Sequence, residues 1–260
     1  MTSAQVQLAR RRLWLGITNV GFWVLAACAG LYRLVEHRTD APVTLSLIGI
    51  FAGAIAVQAL FDLIGGVTLM PEPRSSVRTF LRGWSRGMLG HTLVLAGVAS
   101  VSAISLQLTG GFSAAIVLTM TALALGRRHL LRAIGGVPST ELAHDGEIIL
   151  TAAVKDSAFT GGIVGLGRHA KSLLPARWMH ALPASELAVE SSRRRWQIAN
   201  AMPVRAFVLI LCWNLLGAFI GTLAFDLADR APAVAVVGHG CWMTLWTFAS
   251  LLVLPALSQK

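Results

Sequence analysis

Six long apolar runs occupy most of the chain and decide which solvent it can fold in. Runs of roughly 17 to 25 apolar residues are typical of helices that cross a bilayer. Only 13% of the 260 residues are charged, against about 25% in soluble domains, so too few charges are available to cover this apolar surface in water. The runs cover residues 13–31, 43–70, 88–108, 112–125, 206–225 and 233–254. The sequence predicts an α-helical polytopic membrane protein with about six transmembrane helices, the fourth of them the shortest.

Lysines and arginines are distributed unevenly between the segments that join these runs. With a cytoplasmic N terminus, only three of the 22 fall in outside loops, namely Arg33, Arg38 and Arg230. Cytoplasmic loops of membrane proteins carry such an excess of basic residues. We therefore expect a multi-pass protein of the cell inner (cytoplasmic) membrane, with the first run retained and both termini in the cytoplasm. This topology, with anionic lipid headgroups as partners of the bilayer-facing loops, accounts for the net charge of +10 without a nucleic-acid partner.

The composition changes after the fourth run, and the change divides the chain into three parts. The predicted parts are a membrane domain at 1–125, a cytoplasmic insert at 126–205 and a second membrane part at 206–260. Within the insert, residues 146–154 have the composition of a β-strand, and a glycine-rich turn follows them. Ser185 then suits the N-cap of a helix over 186–198. We expect a small α+β insert between the fourth and fifth spans.

Three arginines recur at every fourth position after the second run: Arg78, Arg82 and Arg86. Residues with this spacing lie on one face of a helix, and Phe80 and Trp84 lie between them. The pattern predicts a short interfacial amphipathic helix over anionic headgroups.

Three titratable residues interrupt the apolar runs. Asp62 lies in the second run, His91 near the start of the third and His239 in the sixth. Ionisable side chains inside a membrane are costly and mark functional sites by default. A proton relay, a metal site and structural hydrogen bonds all remain open, because sequence spacing fixes no distance between the three residues.

Two segments of the insert carry a resemblance to a known protein class. They read Ala158-Phe-Thr-Gly-Gly-Ile-Val-Gly165 and Leu173-Leu-Pro-Ala-Arg-Trp-Met-His-Ala-Leu-Pro-Ala-Ser-Glu-Leu187. A strand, an LP segment and a polar helix in this order resemble the catalytic-domain framework of membrane zinc metallopeptidases, both the HtpX-type proteases and the β-lactam sensor-transducers. The resemblance covers residues 147–198. The residues that match this framework are Phe159, Gly161 or Gly162, Pro175, Glu186 and Leu187.

The zinc motif of those families, His-Glu-x-x-His, is absent from this chain. At its expected place stands Ser191-Ser-Arg-Arg-Arg-Trp196, and arginine cannot ligate zinc because it stays protonated. Whether any metal or cofactor binds is therefore left open. Glu190 is one helical turn from both Glu186 and Arg194. One glutamate could activate water with help from His180 or His169, or the charges could form a salt-bridged surface helix.

Two functions of different classes are compatible with these residues. The first is a membrane-embedded, peptidase-like protein with a degenerate active site at Glu186, Glu190 and His180, which acts on or binds membrane-attached polypeptides at the cytoplasmic face. The second is a non-catalytic integral membrane subunit or assembly partner of a larger membrane complex. The first requires a glutamate in a cleft shared with a histidine and the strand near Phe159. The second predicts that the glutamates face water and that a broad apolar face is left for a partner.

Overall fold

A computed structural model describes the chain over residues 3–36, 43–68, 77–135, 137, 139–144, 147–154 and 159–258. Four basic residues that entered the orientation argument, Arg38, Arg74, Lys155 and Lys260, lie outside the described residues.

Long helices dominate the described chain. The α-helices are α1 (Ser3–Glu36), α2 (Val43–Thr68), α3 (Val77–Thr109), α4 (Ser113–Leu125), α5 (Arg127–Ala133), α6 (Trp178–Ala181), α7 (Ala184–Ala199), α8 (Met202–Ala224) and α9 (Pro232–Ser258). Among the described residues, 5 helices are long and apolar enough to cross a membrane: α1, α2, α3, α8 and α9. This agrees with the predicted helical, multi-pass architecture.

The fourth apolar run differs from the straight span predicted over 112–125. Helix α4 has 13 residues, a length of about 20 Å, whereas the hydrocarbon core of a bilayer is about 30 Å thick. The chain bends by 70° between α4 and α5. The number of candidate spans rises to 6 if this bent pair is counted as one.

The arginine-rich segment before the third run also differs from its prediction. Arg78, Arg82 and Arg86 do not belong to a separate interfacial helix, because α3 runs without a break from Val77 to Thr109. All three side chains are exposed. The first turns of α3 therefore carry the charges, and its later turns carry the apolar run.

The chain divides into two compact units. Unit 1 comprises Met1–Ser76, Thr92–Val117 and Trp213–Lys260, and unit 2 comprises Val77–His91 and Leu118–Cys212.

In unit 1, helices α8 and α9 approach closely where glycines face tryptophans. A Cβ atom on Gly217 would overlap the indole ring of Trp246, and one on Gly221 would overlap Trp242. The indole nitrogen of Trp242 donates to the carbonyl oxygen of Gly217 at 2.6 Å, and that of Trp246 donates to Trp213 at 2.9 Å. Small residues allow such close helix packing, and the indole N–H groups find acceptors on the facing backbone.

Unit 2 contains a mixed four-stranded sheet with strand order β1-β2-β4-β3. Its strands are β1 (Ser139–His144), β2 (Glu147–Ala152), β3 (Gly162–Val164) and β4 (Lys171–Pro175). Strands β1 and β2 are antiparallel, β2 and β4 parallel, and β3 and β4 antiparallel. The strand expected over 146–154 is confirmed as β2, whereas β1 was not predicted from the sequence.

Alternating residues of the central strands pack on opposite faces of this sheet, as the two-residue period of a strand requires. On one face, Ile149 and Leu174 pack with Leu187 of α7. On the other, Leu150 and Leu173 form a cluster against which Leu131 of α5 and Phe159 pack. The helix expected over 186–198 is present, but it begins at Ala184 after Pro183, and no side chain caps it. The expected N-cap at Ser185 is wrong, because that residue already lies inside the helix.

Candidate functional site

The three residues proposed from the sequence as catalytic lie on α6 and α7. Glu186 and His180 are exposed, and Glu190 is half-buried. Glu190 accepts a hydrogen bond from Arg193 at 2.9 Å and lies 3.8 Å from the guanidinium of Arg194. Within the described parts of the chain, no hydrogen bond or ion pair joins Glu186 or His180 to Glu190.

Arg194 is the most deeply buried charged residue of this helix, with 3% of its surface exposed. Helix α7 buries Leu187, Ser191 and Arg194, which share one helical face because they are four and three residues apart. The guanidinium of Arg194 therefore points toward the sheet, where it donates to the carbonyl oxygens of Leu173 at 2.5 Å and Thr160 at 2.7 Å. It also lies 5.5 Å from the ring centre of Trp178.

Gly161 permits this arrangement. It adopts a left-handed backbone conformation with φ of +76°, and a Cβ atom there would overlap the carbonyl oxygen of Leu173 and lie 3.1 Å from Arg194 Nη1. Any side chain at this position would therefore meet both a backbone strain and a steric clash. The glycine and the arginine hold the residues just before β3 against Leu173 in the middle of β4.

Arg177 makes a second contact of the same kind. It donates to the carbonyl oxygen of Phe159 at 2.5 Å and to that of Val154 at 3.4 Å. Arginines thus bind the backbone of the insert at three positions: Val154 after β2, Phe159, and Thr160 before β3. These roles were not predicted from the sequence, although Arg194 lies seven residues after Leu187 and so shares its face of the helix.

Burial lowers the pKa of Arg194, while the neighbouring Glu190 carboxylate raises it and Arg193 lowers it. Arginine nevertheless stays protonated in proteins. A buried cation of this kind is stable only when it is paired and hydrogen-bonded, which the two carbonyl oxygens and Glu190 accomplish. This part of α7 therefore serves to hold the fold of the insert.

The donor set of this region does not fit the zinc ion that the metallopeptidase resemblance implies. The buried face of α7 offers Leu187, Ser191 and Arg194, and zinc in proteins is bound by Cys, His, Asp and Glu. No group of three or more such residues that could hold a metal occurs in the described part of the chain. We therefore derive no step through a metal, and catalysis by Glu186, Glu190 and His180 stays a prediction.

The framework residues of the resemblance have structural positions. Phe159 packs on the cluster of Leu150 and Leu173, Pro175 is fully buried at the end of β4, and Leu187 contacts Ile149 and Leu174. These contacts explain why the segment needs such residues without assigning it a reaction.

A cleft of about 510 Å³ lies beside α7 in unit 2. Three arginines line it, namely Arg127, Arg193 and Arg194, together with the glycines at the start of β3 and apolar residues at the start of α8. No Asp, Glu or His is among these lining residues. The cleft beside β3 is therefore cationic, and no described histidine or glutamate lines it.

A second candidate site lies within the apolar helices of unit 1. The side-chain amide of Gln58 donates to Asp62 at 2.9 Å and accepts a hydrogen bond from the indole nitrogen of Trp23 at 3.0 Å. Asp62 is exposed on the surface of α2. His239 is buried and stacks on Phe112 at 3.9 Å between ring centres, and its Nδ1 has no hydrogen-bond partner among the described residues. Asp62 and His239 are not joined by a hydrogen bond or ion pair in the described structure.

Comparisons of the chain with protein-family models, with curated proteins and with solved structures found no match.

Proposed function

We propose that the chain is a non-catalytic integral membrane subunit, which assembles with another membrane protein through the face of α2 that carries Asp62. The observation that carries this proposal is a carboxylate exposed on the surface of an apolar helix. The partner is expected to place a hydrogen-bond donor or a cation, such as an Arg, Lys or His side chain, opposite Asp62.

Helix α2 is the least enclosed of the candidate spans. None of the residues in its most apolar window, Gly49–Gly66, is buried. Lipid chains can cover the apolar part of this surface, because they are as apolar as the side chains they contact. They cannot cover Asp62, because a hydrocarbon chain offers no hydrogen bond to a carboxylate.

Asp62 is only partly satisfied by its own chain. An ionised carboxylate has about four acceptor positions, and among the described residues Gln58 provides its one recorded donor. Gln58 is in turn oriented by Trp23 of α1. One turn before Trp23, the side-chain oxygen of Asn19 is buried without a hydrogen-bond partner in the described structure. The α1–α2 pair therefore carries a short polar strip, and within it the exposed carboxylate of Asp62 has acceptor positions left for a partner.

The position of Asp62 makes it unfavourable for its carboxylate to reach the water at the membrane surface. It lies four residues before the end of the apolar window, a distance of about 6 Å along a helix. Lysine and arginine can reach an interface with their long side chains, but aspartate has a single methylene group. Insertion measurements put the cost of an Asp at the centre of a span at about 2.5–3.5 kcal/mol. This is an upper bound for Asp62, which lies four residues from the end of the apolar window, and a partner with a donor would offset part of the cost.

The proposal includes the orientation inferred from the basic residues, with both termini in the cytoplasm and the protein in the inner membrane. The exposed arginines at the start of α3 and of α5 support it, because such residues concentrate on the cytoplasmic side. In this orientation the insert with its sheet faces the cytoplasm.

Photo-crosslinking in native membranes tests the proposed assembly. A photoreactive amino acid at Ile55 lies seven residues before Asp62 and so on the same face of α2, whereas one at Leu60 lies on the opposite face. We expect a discrete protein adduct from position 55 that disappears when Asp62→Leu is added. The matched probe at Leu60, which is 59% exposed, should give lipid adducts only.

The mass of the adduct identifies the partner. A product of twice 27.6 kDa would be a second copy of this chain, and any other discrete mass would be a different protein. Equal adducts from both positions, or adducts that persist in Asp62→Leu, would contradict a role for this face. The insert provides a separate check: Glu186→Gln and Glu190→Gln should leave the adduct unchanged, because the assembly does not depend on catalysis.

A further inference from the structure

The cleft beside α7 combines a cationic part with an apolar part, and neither is explained by the assembly proposed above. We call it the arginine cleft and define it by Arg127, Arg193, Gly162, Phe207 and Ile210. Its volume of about 510 Å³ is within the range of small-molecule sites, roughly 300–1,000 Å³.

Two of its arginines have donors available for a ligand. Arg127 is exposed and makes no recorded ion pair within the described chain. Arg193 has 61% of its side chain exposed, and only its Nη2 is engaged, by Glu190. The third, Arg194, already donates to two carbonyl oxygens and contributes charge rather than direct contact. With Glu190 as the nearby counter-ion, the cleft keeps an excess of positive charge.

Another part of the lining of the arginine cleft is apolar and belongs to a candidate span. Phe207 and Ile210 lie in the first half of α8, whose residues Met202–Ala224 are apolar enough to cross a membrane. Ile210 is 41% exposed. A ligand in this cleft can therefore hold a charged group at the arginines and an apolar group along α8 at the same time.

We propose that the arginine cleft binds an anionic phospholipid, with its phosphate at Arg127 and Arg193 and an acyl chain along Phe207 and Ile210. Guanidinium groups bind phosphate oxygens through two parallel hydrogen bonds. A soluble phosphate compound would satisfy the arginines but leave the apolar wall uncovered. A neutral lipid would cover the wall but leave the positive charges without a counter-ion. Only an anionic amphiphile matches both parts.

The test uses the full chain in detergent and counts bound lipids by native mass spectrometry. Phosphatidylglycerol and phosphatidylcholine are titrated separately. We expect one tightly retained phosphatidylglycerol and an affinity for it about tenfold higher than for phosphatidylcholine, since charge-assisted hydrogen bonds of this type carry such factors. Arg127→Gln and Arg193→Gln should each remove most of this preference. The controls Arg128→Gln and Arg195→Gln remove the same charge next to each site but outside the cleft, and should keep the preference.

A variant that fills the cleft tests whether lipid binding needs the volume of the cleft, while the charge of the cleft is unchanged. A Cβ atom on Gly162 would meet nothing within 4 Å, and its backbone needs no left-handed conformation, so Gly162→Leu adds bulk to the cleft without altering an arginine. We expect it to lose the retained lipid while its thermal unfolding matches that of the wild type. Retention unchanged in Gly162→Leu, or equal losses in the control arginine variants, would overturn the proposal.

Competition distinguishes the two sources of phosphate. Glycerol 1-phosphate is added to the phosphatidylglycerol complex, first at a concentration similar to that of the lipid and then in excess. Little displacement is expected, because the free phosphate lacks the acyl chain that contacts α8. Complete displacement at similar concentrations would show that the cleft recognises a soluble phosphate, and the lipid assignment would then be wrong. None of these outcomes depends on Asp62, so this proposal and the assembly through α2 fail or succeed separately.

Discussion

Glycine lets a large side chain approach a neighbouring backbone in both units, but the large side chains differ. In unit 1, Gly221 faces the indole ring of Trp242, which donates one hydrogen bond to the carbonyl oxygen of Gly217. In unit 2, Gly161 faces the guanidinium of Arg194, which donates to two carbonyl oxygens. The tryptophan brings mostly apolar area to its contact, whereas the arginine brings a full charge.

This difference follows from the surroundings of each contact. Apolar helices gain little from burying one another in lipid, so close packing and single hydrogen bonds hold them together. The sheet of unit 2 is small, and Arg194 adds bonds that join α7 to two strands. Because a buried charge must be paired, removing the arginine or its partners should cost more than disturbing the tryptophan contact.

The largest expected effect is the loss of Arg194. Arg194→Leu removes the donors to Leu173 and Thr160 and leaves Glu190 with Arg193 alone. We expect unit 2 to lose about 1–3 kcal/mol for each of these two carbonyl oxygens, because a buried acceptor left without its donor costs this much. Limited proteolysis near Thr160, followed with temperature, measures this loss.

The matched control is Arg193→Leu, because Arg193 is the adjacent arginine and is 61% exposed. Its exposed ion pair should be worth less than about 1 kcal/mol. Arg194→Lys should be intermediate, since a single ammonium group does not reproduce the planar fork that reaches both carbonyls. Equal protease resistance in Arg194→Leu and Arg193→Leu would show that the buried arginine does not hold the insert.

A smaller effect is expected where helices α8 and α9 meet. Gly221→Leu would place a side chain in the volume of the Trp242 ring, and overpacking of this kind costs about 1–3 kcal/mol. Gly240→Leu is the control on the facing helix, since a Cβ atom there meets nothing within 4 Å. Thermal unfolding in detergent should fall for Gly221→Leu only. A loss of stability as large as that of Arg194→Leu would show that the tryptophan contact and the arginine contact stabilise the protein equally.

The smallest effect concerns a surface ion pair of unit 2. The hydrogen bonds from Lys171 and Arg128 lower the pKa of the Glu141 carboxyl. A lowered pKa means that the folded protein binds this proton less readily than the unfolded chain. The contribution of Glu141 to stability is therefore present at neutral pH and is lost as the pH falls through its folded pKa.

Thermal unfolding of the wild type and of Glu141→Gln checks this sign. The wild type should unfold at a slightly higher temperature near neutral pH, and the two curves should converge as the pH falls through the folded pKa of the Glu141 carboxyl. A difference that grows in acid would contradict the pairing with Lys171 and Arg128.

Local patterns in the sequence predicted the helical spans and the strand β2, but not every element. Strand β1 was missed because Ser139–His144 has no apolar run and is defined by its pairing with β2. The interfacial helix with Arg78 was expected to be separate, yet it continues into α3, since no residue in the segment interrupts the helix. The lengths of apolar runs are local properties, whereas pairing between strands is not.

The candidate sites were predicted in part. Asp62 was singled out because a charge in an apolar run is unusual, but its partner Gln58 and its exposed position required coordinates. Glu186, Glu190 and His180 were chosen by residue type and spacing. The structure places Glu190 beside two arginines and leaves Glu186 and His180 on the surface.

The sequence by itself predicted the helical class of this protein, because the number and length of its apolar runs favour long helices in a membrane-like solvent. Only the tertiary structure decided which arginine is buried. Arg193, Arg194 and Arg195 are adjacent and chemically identical, yet Arg194 alone among them reaches Thr160, 34 residues earlier in the chain. Arg194 is buried because its face of α7 is turned toward the sheet. The packing of Leu187 on Ile149 and Leu174 fixes this rotation of the helix about its axis.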